Sequence, residues 1–264
     1  MIFTQRITAI LCFCLALLGC QQKDKETLLV GTIAGPETQL MQVAKKVAHA
    51  KYGLNIKIVE FQDYATPNVV LNDGRIDANV FQHQPYLDEV IKARGYQLVA
   101  VGKTFVYPVG IYSLSIKNIN DVPQHAKVTL PNDPSNNARA LLLLQKAGLI
   151  KLDPGKGLMV SQQDIKDNPK QLEFIEMDAA QLPRTLQDVS LAVINTNYAV
   201  AAGLMPSKDA LFLEDKNSPY ANLIVTRISE KDDPRIQQLV EALHSQEVVD
   251  EANKLFEHQA IPAW

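Results

Sequence analysis

The feature that most constrains this chain is a strand–helix alternation that runs twice. Residues 27–33 alternate and then run apolar, as the inner strand of a sheet does, and Gly35-Pro36 ends them. Leu40, Ala44, Val47 and Ala48 then share one helical face, and Gly53 after Tyr52 suits a left-handed C-terminal cap. Residues 55–61 are β-branched and strand-like, residues 63–71 start a short helix around Pro67, and Asn72-Asp73-Gly74 is a turn. Residues 78–81 read as a strand, Pro85 as a first helical position, and Leu87, Val90 and Ile91 as the buried face of a helix that stops at Gly95. Such alternation builds a mainly parallel sheet covered by helices on both faces.

The pattern then breaks and restarts. Residues 97–113 hold two apolar runs interrupted by Gly102 and Pro108. A strand at 127–130, a helix at 137–147 capped by Gly148, and strands at 172–177 and 191–194 follow, while residues 148–168 form a polar connection with no predicted element. Strands at 211–214 and 223–227 and two helices, one opening at Asp233-Pro234 and one running to about residue 256, read as a return to the first half. The expectation is a two-lobed α/β fold, with lobe 1 at 28–112 plus 203–264 and lobe 2 at 113–202.

The first nineteen residues are different in kind. Arg6 precedes an apolar run at 7–18, too short to span a bilayer, and Leu17-Leu18-Gly19-Cys20 follows. These four residues resemble the lipobox of bacterial lipoproteins, which implies cleavage before Cys20, lipid on its sulfur and residues 20–27 as a tether. Two or three acyl chains make a lasting anchor where one does not. Cys12 and Cys14 leave with the leader, so the mature fold has neither a free thiol nor a disulfide and depends on its core.

A net charge of -3 offers no basic patch, which argues against a nucleic-acid partner. Histidines at 49, 83, 125, 244 and 258 are too scattered for a metal motif. No G-x-S-x-G elbow, phosphate loop, dinucleotide glycine pattern or H-E-x-x-H is present, so neither an enzyme nor a cofactor is expected.

Four stretches remain as candidate sites. In Phe81-Gln82-His83-Gln84-Pro85-Tyr86 three rings meet where a strand becomes a helix, and ligands of such sheets sit beyond the carboxyl ends of the strands. Phe81, His83 and Tyr86 either wall an apolar pocket or pack the core. In Leu130 to Arg139 the prolines hold a loop open, Ser135 or Asn136 suits an N-cap, and Arg139 is expected in the first turn. There it either meets a carboxylate bidentately or pairs on the surface with Asp133 or Asp178. Asn195-Thr196-Asn197 and Asn222 carry amides that fit an amino-acid head group or an ordinary turn.

Together with the lipobox, several strings are similar to the NlpA lipoprotein family. They are Asp63-Tyr64, Ile76-Asp77-Ala78-Asn79, Phe81-Gln82-His83 with Pro85-Tyr86-Leu87, Phe105-Val106-Tyr107-Pro108, Pro131-Asn132-Asp133-Pro134, Ala192-Val193-Ile194-Asn195-Thr196 and Asn222-Leu223-Ile224-Val225. The resemblance implies a periplasmic binding protein of type II-like form with its ligand in the interlobe cleft. It implies the methionine-binding component of an ABC importer, working as a monomer with a permease and an ATPase from the periplasmic side of the cell envelope. Tyr64, Phe81, His83 and Tyr86 would then box the thioether, with His83 as a neutral ring. Arg139, with Asn136 or Asn137, would take the carboxylate, and Asn197 and Asn222, with Asn195 near by, would fix the head. A methionine-containing dipeptide, another small amino acid, or a surface role without transport are the alternatives.

Overall fold

The computed structural model describes residues 27–264; the leader, the lipobox with Cys20 and the tether as far as residue 26 lie outside the described residues. β1 (Thr27–Ile33) pairs in parallel with β2 (Asn55–Phe61) on one side and with β3 (Ala78–His83) on the other. The reason is in its side chains. Leu28 and Val30 face α1 (Pro36–Tyr52) and meet Leu40, Met41, Ala44 and Ala48, the stripe that the helical period put on one face. Beneath the opposite face, α2 (Thr66–Asn72) and α3 (Gln84–Arg94) bring Leu71 and Leu87 against Ile76, Leu98, Leu223 and Val225. Gly53 and Gly95 end α1 and α3 in the left-handed conformation expected of them. Gly31 has a different reason: a Cβ there would lie 2.8 Å from Ile76 Cδ1 and 2.9 Å from a Phe61 ring carbon.

The first sheet is completed by chain that arrives later. Its order places β4 (Leu98–Val106), β12 (Ala221–Arg227) and β13 (Ile261–Pro262) beside β3, and all the pairings they make are antiparallel. β12 enters from the second lobe at the carboxyl end of β1 and β3, so it can only run back down the sheet. The result is a mixed sheet with β12 and β3 at its middle and β1 next to β3, β1 and β3 both ending at the cleft.

The second sheet contains β5 (Gly110–Tyr112), β6 (Lys127–Pro131), β9 (Glu173–Met177), β10 (Leu191–Ile194) and β11 (Ala210–Leu213) in the order β11-β5-β10-β6-β9. β6, β9 and β10 are parallel, while β5 and β11 run against them. α4 (Pro134–Lys146) covers it, its Leu141 and Leu144 packing with Val128, Leu130 and Val193. The connection without a predicted element holds a two-stranded hairpin, β7 (Lys151–Leu152) with β8 (Ile165–Asp167), and buries Leu152 and Val160 in the same core. α5 (Thr196–Ala201) and α6 (Pro206–Asp209) follow β10, and α7 (Pro234–Leu243) and α8 (Gln246–Leu255) return to pack beside α1.

The chain crosses between sheets at 107–109 and again at 214–220, so the divisions expected at 112/113 and 202/203 need correction. β5 and β11 both belong to the second sheet. Residues 105–112 read as one apolar run, which hid the crossing; Pro108 lacks the N–H that would continue a ladder and lies between the two pieces. The crossings are tied to each other, with Glu214 N–H donating to Val109 O at 2.9 Å.

Candidate functional site

β3 is buried along its whole length and delivers its last residues to the cleft. Side chains two apart share a face of a strand, so Phe81 and His83 point together. Gln82 turns toward Asn68 and Asn79, where amides bond at 2.7 to 2.9 Å in a buried network. His83 is also the N-cap of α3: its Nδ1 accepts the Tyr86 N–H at 3.3 Å. A ring nitrogen that accepts carries no proton, so the proton of the neutral ring is on Nε2, which donates to Asn136 Oδ1 at 3.2 Å. Burial, reinforced by the Arg139 charge, lowers the His83 pKa to about 3 and keeps it neutral.

Around Phe81 stand Tyr64 and Tyr86, with ring centroids at 5.8 and 5.9 Å and Tyr86 edge-on. The Tyr86 hydroxyl donates to Tyr64 O at 2.8 Å, and the Tyr64 hydroxyl donates to Asn197 Oδ1 at 2.6 Å. Lobe 1 rings are thus joined to a lobe 2 amide.

Arg139 differs from its expected setting. Asp133, not Ser135 or Asn136, is the N-cap of α4, its carboxylate accepting Asn136 N–H at 2.9 Å, and helix begins at Pro134. Arg139 therefore falls in the second turn, and its partner is neither Asp133 nor Asp178. Its Nε donates to Glu214 Oε1 at 3.1 Å, Nη2 to Glu214 Oε2 and to Tyr107 O at 2.9 Å, and the guanidinium lies 4.4 Å over the Tyr220 ring.

Nine of the ten expected ligand residues line one cavity: Tyr64, Phe81, His83, Tyr86, Asn136, Arg139, Asn195, Asn197 and Asn222. Asn137 does not. Its Nδ2 donates to Pro131 O at 2.9 Å and to Glu176 Oε1 at 3.1 Å, because the next position along a helix faces about 100° away. Asn195 Nδ2 donates to Asn136 Oδ1 at 2.8 Å, and Asn222 Nδ2 to Phe81 O at 3.1 Å and Glu37 Oε1 at 2.9 Å.

Sequence reasoning missed Glu37, Gln82, Tyr107 and Thr196, which complete the lining, and Glu214 and Tyr220, which hold Arg139. Glu37 had a usable signal, since it follows Gly35-Pro36 just beyond the carboxyl end of β1. An acid in a first helical turn is also an ordinary dipole partner, and that masked it. Tyr107, Glu214 and Tyr220 lie on the crossings, where no period marks a face.

Three buried polar atoms of the lining have no partner among the described residues: Glu37 Oε2, Asn195 Oδ1 and Asn197 Nδ2. A buried polar group without a partner is costly. Here acceptors and a donor stand unmatched beside a wall of rings, the complement of a molecule with a charged head and an apolar tail.

Two α/β lobes joined by paired crossings, with this cavity between them, have the form of a periplasmic substrate-binding protein. The chain belongs to the NlpA lipoprotein family, whose sequence model matches residues 28–264. It is 53% identical over 254 residues to the D-methionine-binding lipoprotein MetQ of Salmonella typhimurium, covering 95% of this chain and 94% of that one. The crystal structure of the methionine binding protein MetQ is 52% identical, with a TM-score of 0.89 over 90% of this chain and 98% of that one. A nutrient binding protein from Burkholderia cenocepacia bound to methionine is 52% identical, with a TM-score of 0.88 over 90% of this chain and all of that one.

Proposed function

We propose that this protein captures methionine in the cavity between its lobes and delivers it, as a monomer, to the permease and ATPase of an ABC importer. Lipid on Cys20 would hold it to a membrane of the cell envelope, facing the periplasm. The observation that carries this reading is the joining, in one cavity, of an apolar end walled by Tyr64, Phe81, His83 and Tyr86 to a polar end with unmatched donors and acceptors. The names of the similar proteins support it.

The thioether lies among the four rings and Arg139 receives the carboxylate, while Asn136, whose Nδ2 donates to both oxygens of Asp133 at 3.0 Å, holds His83 and Asn195 in place. Asn195, Asn197 and Asn222 hold the head. Sulfur against rings contributes roughly 0.3 to 1.5 kcal/mol per contact. Burying about three carbon units adds about 0.8 kcal/mol each, and each charge-assisted bond about 1.5 to 3 kcal/mol. These sums exceed the cost of ordering so small a ligand and place the dissociation constant between about nanomolar and micromolar.

Native mass spectrometry of protein purified without unfolding tests the reading, since a tight ligand travels with its binder. A bound species with the mass of methionine, displaced by added labelled methionine, supports it. A resident ligand of another mass that methionine does not displace contradicts it.

A further inference from the structure

We propose that Glu37 receives the α-ammonium of the ligand and makes the cavity selective for an α-amino acid over the same acid without its amine. This inference rests on the amino-acid reading of the cavity and assigns one of its charges.

Glu37 is the second residue of α1, 7% exposed, at the point where β1 opens into the cleft. One carboxyl oxygen is fixed: Oε1 accepts from Asn222 Nδ2 at 2.9 Å, and the same nitrogen reaches Phe81 O at 3.1 Å, so the carboxyl is held against the ring-bearing strand. The other oxygen, Oε2, is buried without a partner. Behind Glu37 the surroundings are mostly apolar, with Leu40, Met41, Val80, Phe105 and Leu243 beside Thr104 and Tyr107.

The charge inventory of the lining is short. Among the described residues, Glu37 and Arg139 are its only Asp, Glu, Lys or Arg residues, and the lining ring of His83 is neutral. Arg139 is matched by Glu214, and among the described residues no cation forms an ion pair with Glu37. The titratable groups that feel its charge are the phenols of Tyr64, Tyr107 and Tyr198, all pushed up and neutral. A carboxyl so placed favours its protonated form, and burial drives it that way. An arriving ammonium reverses the balance: the Glu37 O–H bond breaks, its proton leaves to solvent, and an ammonium N–H donates to Oε2. An amine-free ligand offers no such exchange and leaves the carboxyl without a partner.

Calorimetry with L-methionine and with 4-(methylsulfanyl)butanoate, the same molecule lacking the amine, tests this on the wild type, Glu37→Gln and Glu37→Asp. The wild type should prefer methionine by about 100-fold or more, as expected of a charge-assisted contact in a closed site. Glu37→Gln should lose most of that preference by weakening methionine while leaving the amine-free ligand within about threefold, and Glu37→Asp should fall between them. A wild type that binds both ligands equally overturns the proposal whatever the variants do. An unchanged preference in Glu37→Gln, or an equal loss for both ligands, overturns it too. Wild-type protein that gives no heat with methionine but binds another solute removes the amino-acid reading itself, a different failure from the loss of Glu37 alone.

Discussion

Arg139 and Glu214 meet across the chain's second crossing, with Nε of the arginine 3.1 Å from Oε1 of the glutamate and both side chains largely buried. Glu214 also accepts Val109 N–H at 3.3 Å, so one pair of charges touches both crossings and the cavity. The guanidinium on the cavity wall is thereby set by the two segments that cross between the sheets.

Arg139→Ala should weaken methionine binding by several kcal/mol in calorimetry, because a ligand carboxylate is left unpaired. It should also lower the stability of the ligand-free protein by about 3 to 5 kcal/mol, since Glu214 becomes a buried charge without its partner. Adding Glu214→Ala should recover part of the stability and none of the affinity. Full affinity in the single variant would place the carboxylate elsewhere.

Asn136 and Asn137 are neighbours with separate tasks. Asn136→Ala should reduce methionine affinity, because Asn136 Oδ1 accepts from both His83 Nε2 and Asn195 Nδ2. Asn137→Ala should leave affinity within about threefold and cost roughly 1 kcal/mol of stability through its lost bond to Pro131 O. Reversed effects in paired titrations and melts would contradict the assignment.

The histidine gives a pH dependence of stability. The folded-state pKa of His83, about 3, lies below the ordinary value, so between pH 6.5 and about 3 the unfolded chain binds the proton and the folded one does not. Stability contributed by the neutral ring is complete above about pH 6.5 and is lost as pH falls, at up to about 1.4 kcal/mol per pH unit. Melts of wild type and His83→Asn should converge on acidification, the variant losing this slope. Parallel curves would show that His83 titrates freely.

Ligand affinity should follow Glu37 in the same direction. Its pKa is raised by burial in the free protein and lowered when an ammonium sits beside it, so protons compete with methionine. Affinity should be greatest above the free-protein pKa and fall as pH drops below it, with the slope absent in Glu37→Gln. An identical slope in both proteins would assign it to another group.

How far the fold was legible depends on periodicity. The α1 stripe and the glycine caps at Gly53 and Gly95 are local signals, and each appears where its spacing put it, whereas α3 opens one residue early at Gln84 and has Pro85 as its second residue because His83 takes the N-cap. The N-cap of α4 was misplaced because Asp133, Ser135 and Asn136 all suit the role, and only the loop's tertiary path selects Asp133. The crossings could not be located, since residues 105–112 are equally apolar on both sides of Pro108 and register depends on strands far away in sequence. Site residues at strand ends were visible for the same reason that Glu214 and Tyr220 were not. Position beyond a strand's carboxyl end is a sequence-level cue, whereas holding a guanidinium from a crossing is a property of the assembled lobes alone.

The central claim is that one cavity binds methionine by both its ends. Titration calorimetry of the purified protein with L-methionine, D-methionine and a glycyl-methionine dipeptide measures it most directly. The account expects saturable one-to-one heat with methionine and a dissociation constant between about nanomolar and micromolar. No heat with any of the three, from protein shown to be folded and freed of resident ligand, would contradict it.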